Sequence, residues 1–111
     1  MNNTLKCITI KKSPIDGKGV FSTQKIATGT ILVCDLMIVD KSYELNDDIK
    51  KYYYPFSKWC WSICLGFGSF FNSSLSPNIK IYKLDKKNLQ LYFITIKPIK
   101  KDEELFLKYK F

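Results

Sequence analysis

The chain has no histidine, and all 18 of its basic residues are lysine, so arginine is missing as well. With no ring nitrogen on offer, Cys7, Cys34, Cys60 and Cys64 cannot form a mixed zinc site. Two neighbouring thiols and two distant ones do not have zinc spacing either, so no metal is expected. No apolar run reaches the roughly 18 residues that a membrane span needs. The opening MNNTLKCITIKK alternates apolar and polar residues and lacks the continuous apolar core of a secretion signal. These absences predict a soluble, intracellular protein with no membrane partner, whose cysteines remain free, buried thiols.

The lack of arginine also bears on the net charge of +8. A basic domain can bind nucleic acid or chromatin. Here lysine stands beside many Ile, Asn, Tyr and Phe, a usage that reflects AT-rich codons, and it is spread along the chain rather than clustered. Direct nucleic-acid binding is therefore not expected. What the chain does have is apolar content: 46% hydrophobic and 15% aromatic residues in 111. That suffices for a modest core in a packed single domain spanning residues 1–111.

In chain order, residues 5–10 alternate and predict a strand, followed by a turn at Ser13-Pro14 and Asp16-Gly17. Gly17-Lys18-Gly19-Val20-Phe21 follows, and glycine lets a backbone turn sharply or approach a ligand. A Gly29 turn leads into a strand over 31–39, whose near-continuous apolar character predicts burial on both faces. Residues 41–48 are polar and predict a loop or the start of a short helix capped by Asn46 or Asp47. Tyr52, Tyr53, Tyr54, Phe56, Trp59 and Trp61 then crowd one segment, either as core or as an aromatic wall. Cys60 and Cys64, four apart, would share a helix face.

The organising stretch is residues 65–109, LGFGSFFNSSLSPNIKIYKLDKKNLQLYFITIKPIKKDEELFLKY. Gly66 and Gly68 allow close backbone approach. Pro77-Asn78 is a turn. Residues 79–84 and 88–96 alternate and predict a hairpin around residues 85–88. Asp102, Glu103 and Glu104 predict a solvated acidic turn, and Leu105-Phe106-Leu107 a buried strand.

Asn72-Ser73-Ser74, Pro77-Asn78, Ile99-Lys100-Lys101-Asp102-Glu103-Glu104-Leu105 and Tyr109 together resemble the C-terminal half of a SET domain, the fold of many protein-lysine methyltransferases. Residues 65–68 and 93–99 are most similar to the compact viral SET proteins that methylate histone. Ser73 replaces the family's histidine, and Asp102 its turn glycine. The resemblance implies a mostly β (α+β) fold: a β-clip of small twisted sheets, one or two short helices and a knot-like C-terminal crossing. No pre-SET or post-SET segments are expected.

The resemblance further implies an S-adenosyl-L-methionine-dependent protein-lysine N-methyltransferase. Its cofactor-binding residues would be Gly17, Lys18, Gly19, Asn72, Ser73 and Phe111. Tyr53 or Tyr54, with Gly68 and Phe70, would line the substrate-lysine channel, and Tyr109 would be catalytic. The implied partner is a protein or peptide lysine, with histone among the candidates and the nucleus as a location. So small a domain is also compatible with a homodimer. The alternative, favoured by Ser73, is a catalytically degenerate SET-like domain acting as a protein-interaction module.

Overall fold

The computed structural model describes residues 4–42 and 52–108. Its elements are a one-turn helix α1 (Thr4–Cys7), then β1 (Ile8–Lys12), β2 (Lys18–Ser22), β3 (Ile31–Asp40), β4 (Tyr53–Pro55) and β5 (Cys60–Cys64). A 3-10 turn (Gly66–Ser69) precedes β6 (Asn72–Ser73), β7 (Ile79–Asp85), β8 (Gln90–Thr95) and β9 (Glu104–Leu107). The described chain is thus mostly β with short helical turns, as expected. The Asn46 and Asp47 caps lie outside the described residues. Among those described, no helix is long and apolar enough to cross a membrane.

Two curled sheets result, ordered β1-β2-β9-β6 and β4-β5-β3-β8-β7. Strand β3 spans the larger one: residues 31–35 pair with β8, and residues 36–40 pair with β5. Along β3 the expected two-sided burial is corrected. Leu32, Cys34 and Leu36 are buried, whereas Asp35 and Met37 are exposed on the other face. A strand packed on one side alternates in this way.

The first strand also shifts. Residues 4–7 form a helical turn, and β1 begins at Ile8, opposite Ser22, the last residue of β2. Earlier residues have no facing strand to complete a ladder. Cys60 and Cys64 lie on a strand rather than a helix. A spacing of four puts two residues on one face in either structure, so spacing alone could not decide. The β7–β8 hairpin has a bulge between Ile81 and Lys83, and its turn lies at residues 86–89, one residue later than predicted. Asp85 accepts hydrogen bonds from Asn88 N at 3.0 Å and Asn88 Nδ2 at 2.9 Å, which hold its carboxyl below the usual range. Leu89 closes the turn with φ 52°.

The core centres on Phe93, which is fully buried, with Leu32, Ile79, Leu91, Val20 and Leu105 around it. Phe71 meets the Phe93 ring edge-on, with centroids 4.9 Å apart. Cys34 and Cys64 are also buried here, and the Cys34 hydrogen bond, with burial second, pushes the Cys64 thiol far up. Cys64 therefore supplies no thiolate near neutral pH. All four cysteines carry thiols rather than disulfides; three are buried and Cys60 is half-buried.

Candidate functional site

Strand β9 brings the two ends of the described chain together. It lies between β2, antiparallel, and β6, parallel, so that Val20 faces Leu105 and Asn72 faces Phe106. The loop after β6 is laced to the same strand: Ser74 N donates to Leu107 O at 2.8 Å, and Asn78 N to Phe106 O at 3.2 Å. The Asn78 side chain is buried and uses both ends of its amide. Its Nδ2 donates to Glu104 O at 2.9 Å and to Glu103 Oε2 at 3.1 Å, and its Oδ1 accepts from Phe106 N at 2.7 Å. Asn78 is therefore a clasp between the crossing loop and β9.

The turn before β9 is fastened to the end of β2. Ser22 Oγ donates to Lys100 O and accepts from Glu103 N at 3.0 Å. Asp102, at the place of the family's glycine, has φ 66°, the left-handed region that glycine favours and that Asp tolerates better than most side chains. The expected solvated acidic turn needs correction at its third member. Glu104 is only 7% exposed, because it is already the first residue of β9 and points at neighbouring polar groups. Ser13 Oγ lies 2.8 Å from Glu104 Oε1 and 3.0 Å from Oε2, and Asn72 Nδ2 donates to Oε2 at 2.8 Å.

A pocket of about 440 Å³ opens beside this cluster, lined on one side by residues 16–18 and on the other by Tyr52 and residues 69–73. The size falls in the roughly 300–1,000 Å³ range of small-molecule sites. Asn72 spans the two walls, since its Nδ2 also approaches Asp16 O at 3.2 Å and Lys18 O at 3.3 Å. Three acceptors around Nδ2 fix the amide orientation, and Oδ1 has no partner among the described residues.

Of the predicted cofactor residues, Gly17, Lys18, Asn72 and Ser73 line this pocket, and Phe70, expected in the substrate-lysine channel, lines the same pocket. Gly17 turns the backbone at φ 44°, and a Cβ there would meet nothing within 4 Å. Gly19 has a different reason. A Cβ on it would overlap Glu104 Oε2 and lie 2.9 Å from Glu104 Cδ, so its missing side chain makes room for the buried carboxylate. Gly68 and Tyr54 are brought together in the core, where Tyr54 Oη donates to Gly68 O at 2.7 Å. Gly68 has no space for a side chain, with Cys64 Cβ 2.7 Å from the Cβ position. Tyr53 is buried against Trp61, 5.8 Å between centroids, and its hydroxyl has no partner among the described residues. Trp59, in the predicted aromatic wall, is 69% exposed. Tyr109 and Phe111 lie outside the described residues.

Sequence reasoning missed Tyr52, Asp16, Ser13 and Glu104. The first hides in a run of three tyrosines, and the last in an acidic triplet that looks solvated. The usable signal was Gly19, a glycine inside a strand, which marks close approach by another group.

A mostly-β fold of two curled sheets, with a pocket made where a crossing loop and a late strand meet an early glycine turn, defines a narrow structural class. The chain belongs to the SET domain family, which it matches over residues 17–110. It is 30% identical over 114 aligned residues to the histone-lysine N-methyltransferase, H3 lysine-37 specific, of Schizosaccharomyces pombe, covering 92% of this chain and 77% of that protein. The crystal structure of a Plasmodium falciparum protein assigned as a histone methyltransferase superposes with a TM-score of 0.80 at 27% identity, covering 93% of this chain and 92% of that one. A humanized mutant of the Chaetomium thermophilum Polycomb Repressive Complex 2, solved with a bound inhibitor, gives a TM-score of 0.74 at 18% identity. It covers 92% of this chain and 14% of that one, a likeness of fold alone.

Proposed function

We propose that this chain is an S-adenosyl-L-methionine-dependent protein-lysine N-methyltransferase acting on a lysine in a histone or a similarly basic tail. The observation that carries the reading is the pocket bridged by Asn72, between the glycine turn at 16–18 and the aromatic segment at 69–73. Its chemistry fits the cofactor. Asn72 Oδ1 is an acceptor for an ammonium group, Lys18 a cation for a carboxylate, and Phe70 and Tyr52 offer apolar faces to a flat ring. The Schizosaccharomyces pombe relative supports the lysine substrate and its histone context.

When bound, S-adenosylmethionine supplies a methyl group activated on a sulfonium. The chain's own task is then alignment and desolvation. Holding two reactants in line makes the encounter nearly unimolecular. The substrate lysine must be presented as a neutral amine, and aromatic walls lower its pKa by excluding water. Tyr54, fixed by its bond to Gly68 O, gives the channel side a rigid ring. The buried hydroxyl of Tyr53 is the other candidate for contact with the amine. Tyr109 is assigned the hydroxyl that orients the reacting groups, and Phe111 a cover over the cofactor.

Ser73 supports the second reading, a domain that keeps the fold and binds a protein partner without turnover. Its exposed side chain cannot buttress the site as an imidazole does. Calorimetric titration with S-adenosylmethionine separates the two. Micromolar affinity, lost in Asn72→Ala, together with methyl transfer to a lysine peptide that disappears in a folded Tyr109→Phe variant, is the expected result. No heat at millimolar cofactor would sink the enzymatic reading and leave the partner-binding one.

A further inference from the structure

We infer that Glu104 is a positioning residue that sets which end of the Asn72 amide faces the pocket, an inference that rests on the cofactor reading of that pocket. Glu104 is an anomaly in a chain with 18 lysines. It is buried, yet among the described residues no lysine forms an ion pair with it, and its carboxylate is met only by the Ser13 hydroxyl and the Asn72 amide. Taking a carboxylate out of water without a cation costs stability, and an apolar side chain of similar size would avoid that cost. The compensation is directional. Glu104 Oε2 accepts from Asn72 Nδ2 at 2.8 Å, a closer contact than the 3.2 and 3.3 Å to the Asp16 and Lys18 carbonyls, so among the three acceptors it is Glu104 that draws the NH₂ most tightly and leaves Oδ1 for the pocket.

The neighbourhood is shaped around this contact. Gly19 lacks a side chain where the carboxylate sits. Ser13, the second donor, closes the loop before the pocket wall: its N–H donates to Gly17 O at 2.8 Å, and its Oγ accepts from Ile15 N at 3.1 Å. One carboxylate therefore registers both the loop carrying Asp16–Lys18 and the amide that joins it to the opposite wall. A ligand that donates hydrogen bonds, such as the ammonium of an amino-acid moiety, finds an acceptor at Asn72. With the amide reversed it would find a second donor and be repelled.

The test has a ligand-free arm and a titration arm. In Glu104→Leu the Asn72 side-chain amide protons, followed by NMR without cofactor, should lose their wild-type shifts and exchange faster. In Glu104→Gln they should stay near wild type, because the new amide can accept from Asn72 and donate to the Ser13 hydroxyl. In calorimetry with S-adenosylmethionine, Glu104→Leu should weaken binding about tenfold or more, and Glu104→Gln should stay within about threefold. In an Asn72→Ala background, Glu104→Leu should cost no further affinity, a non-additivity that a merely structural role would not produce. If Glu104→Leu does not fold, Glu104→Asp, which draws the carboxylate back by one methylene, carries the same expectation. An unchanged Asn72 amide in the Leu or Asp variant overturns the inference whether or not the cofactor binds. Wild-type protein that binds no cofactor while its Asn72 amide still depends on Glu104 overturns the proposed function instead.

Discussion

In the five-stranded sheet, Leu32, Leu91 and Phe93 are packed against one another with little polar help, whereas around β9 the four-stranded sheet is stitched by Ser13, Ser22, Asn72, Asn78 and Glu104. The first region tolerates exchange of one apolar group for another of like volume. The second requires particular donors and acceptors, because a buried polar group without its partner costs the full desolvation penalty. The pocket lies on the second region. Its geometry should therefore respond to isosteric polar changes that would pass unnoticed in the core, and should be indifferent to core changes that leave the fold standing.

Leu91→Ala gives the largest expected loss, about 2–5 kcal/mol in denaturant unfolding. Cofactor affinity corrected for the folded fraction should hardly move. Asn78→Ala strips the partners of Phe106 N and Glu104 O and should cost about 2–4 kcal/mol. Here the corrected affinity should fall too, because β9 carries Glu104. If both variants lose affinity in proportion to stability, the two regions do not differ in the way described. Tyr54→Phe sharpens the boundary from the core side. It removes one buried hydrogen bond to Gly68 O and should cost about 1 kcal/mol. Lysine-peptide turnover should drop more than cofactor affinity, and the reverse order would move Tyr54 from the substrate side to the cofactor side. Asp102→Gly gives the smallest change: relief of the left-handed backbone should raise stability by no more than about 1 kcal/mol, with binding unaltered. A fall in stability would mean that the Asp102 side chain contributes more than its backbone conformation costs.

Much of the larger sheet is readable without a structure. The alternation in residues 79–84 and 90–95 has the period of strands, and each strand has its partner next to it in the chain. Sequence and structure differ where periodicity is ambiguous, at the helical turn before Ile8 and at the four-residue spacing of Cys60 and Cys64. The site is a different case. Asn72, Gly17 and Lys18 were found by resemblance to a motif and do share one pocket. The burial of Glu104 depends on Ser13, 91 residues away, and no local pattern carries that information. Gly19 suggests close approach by a ligand, and its space is taken by that same carboxylate.

The span between Ser13 and Glu104 also sets an order of events during synthesis. A ribosome releases the glycine turn first and the Asn72 segment much later, and a nascent chain that has emerged only as far as Leu84 already holds both pocket walls. Only the contacts of the Asn72 amide with the Asp16 and Lys18 carbonyls then join them, because β2 and β6 each take β9 as a neighbour and are not neighbours of each other. Such long-range closure is slow compared with hairpin formation. The pocket is therefore assembled last, and ligand binding by a growing chain would report the arrival of β9 rather than the presence of the residues that touch the ligand.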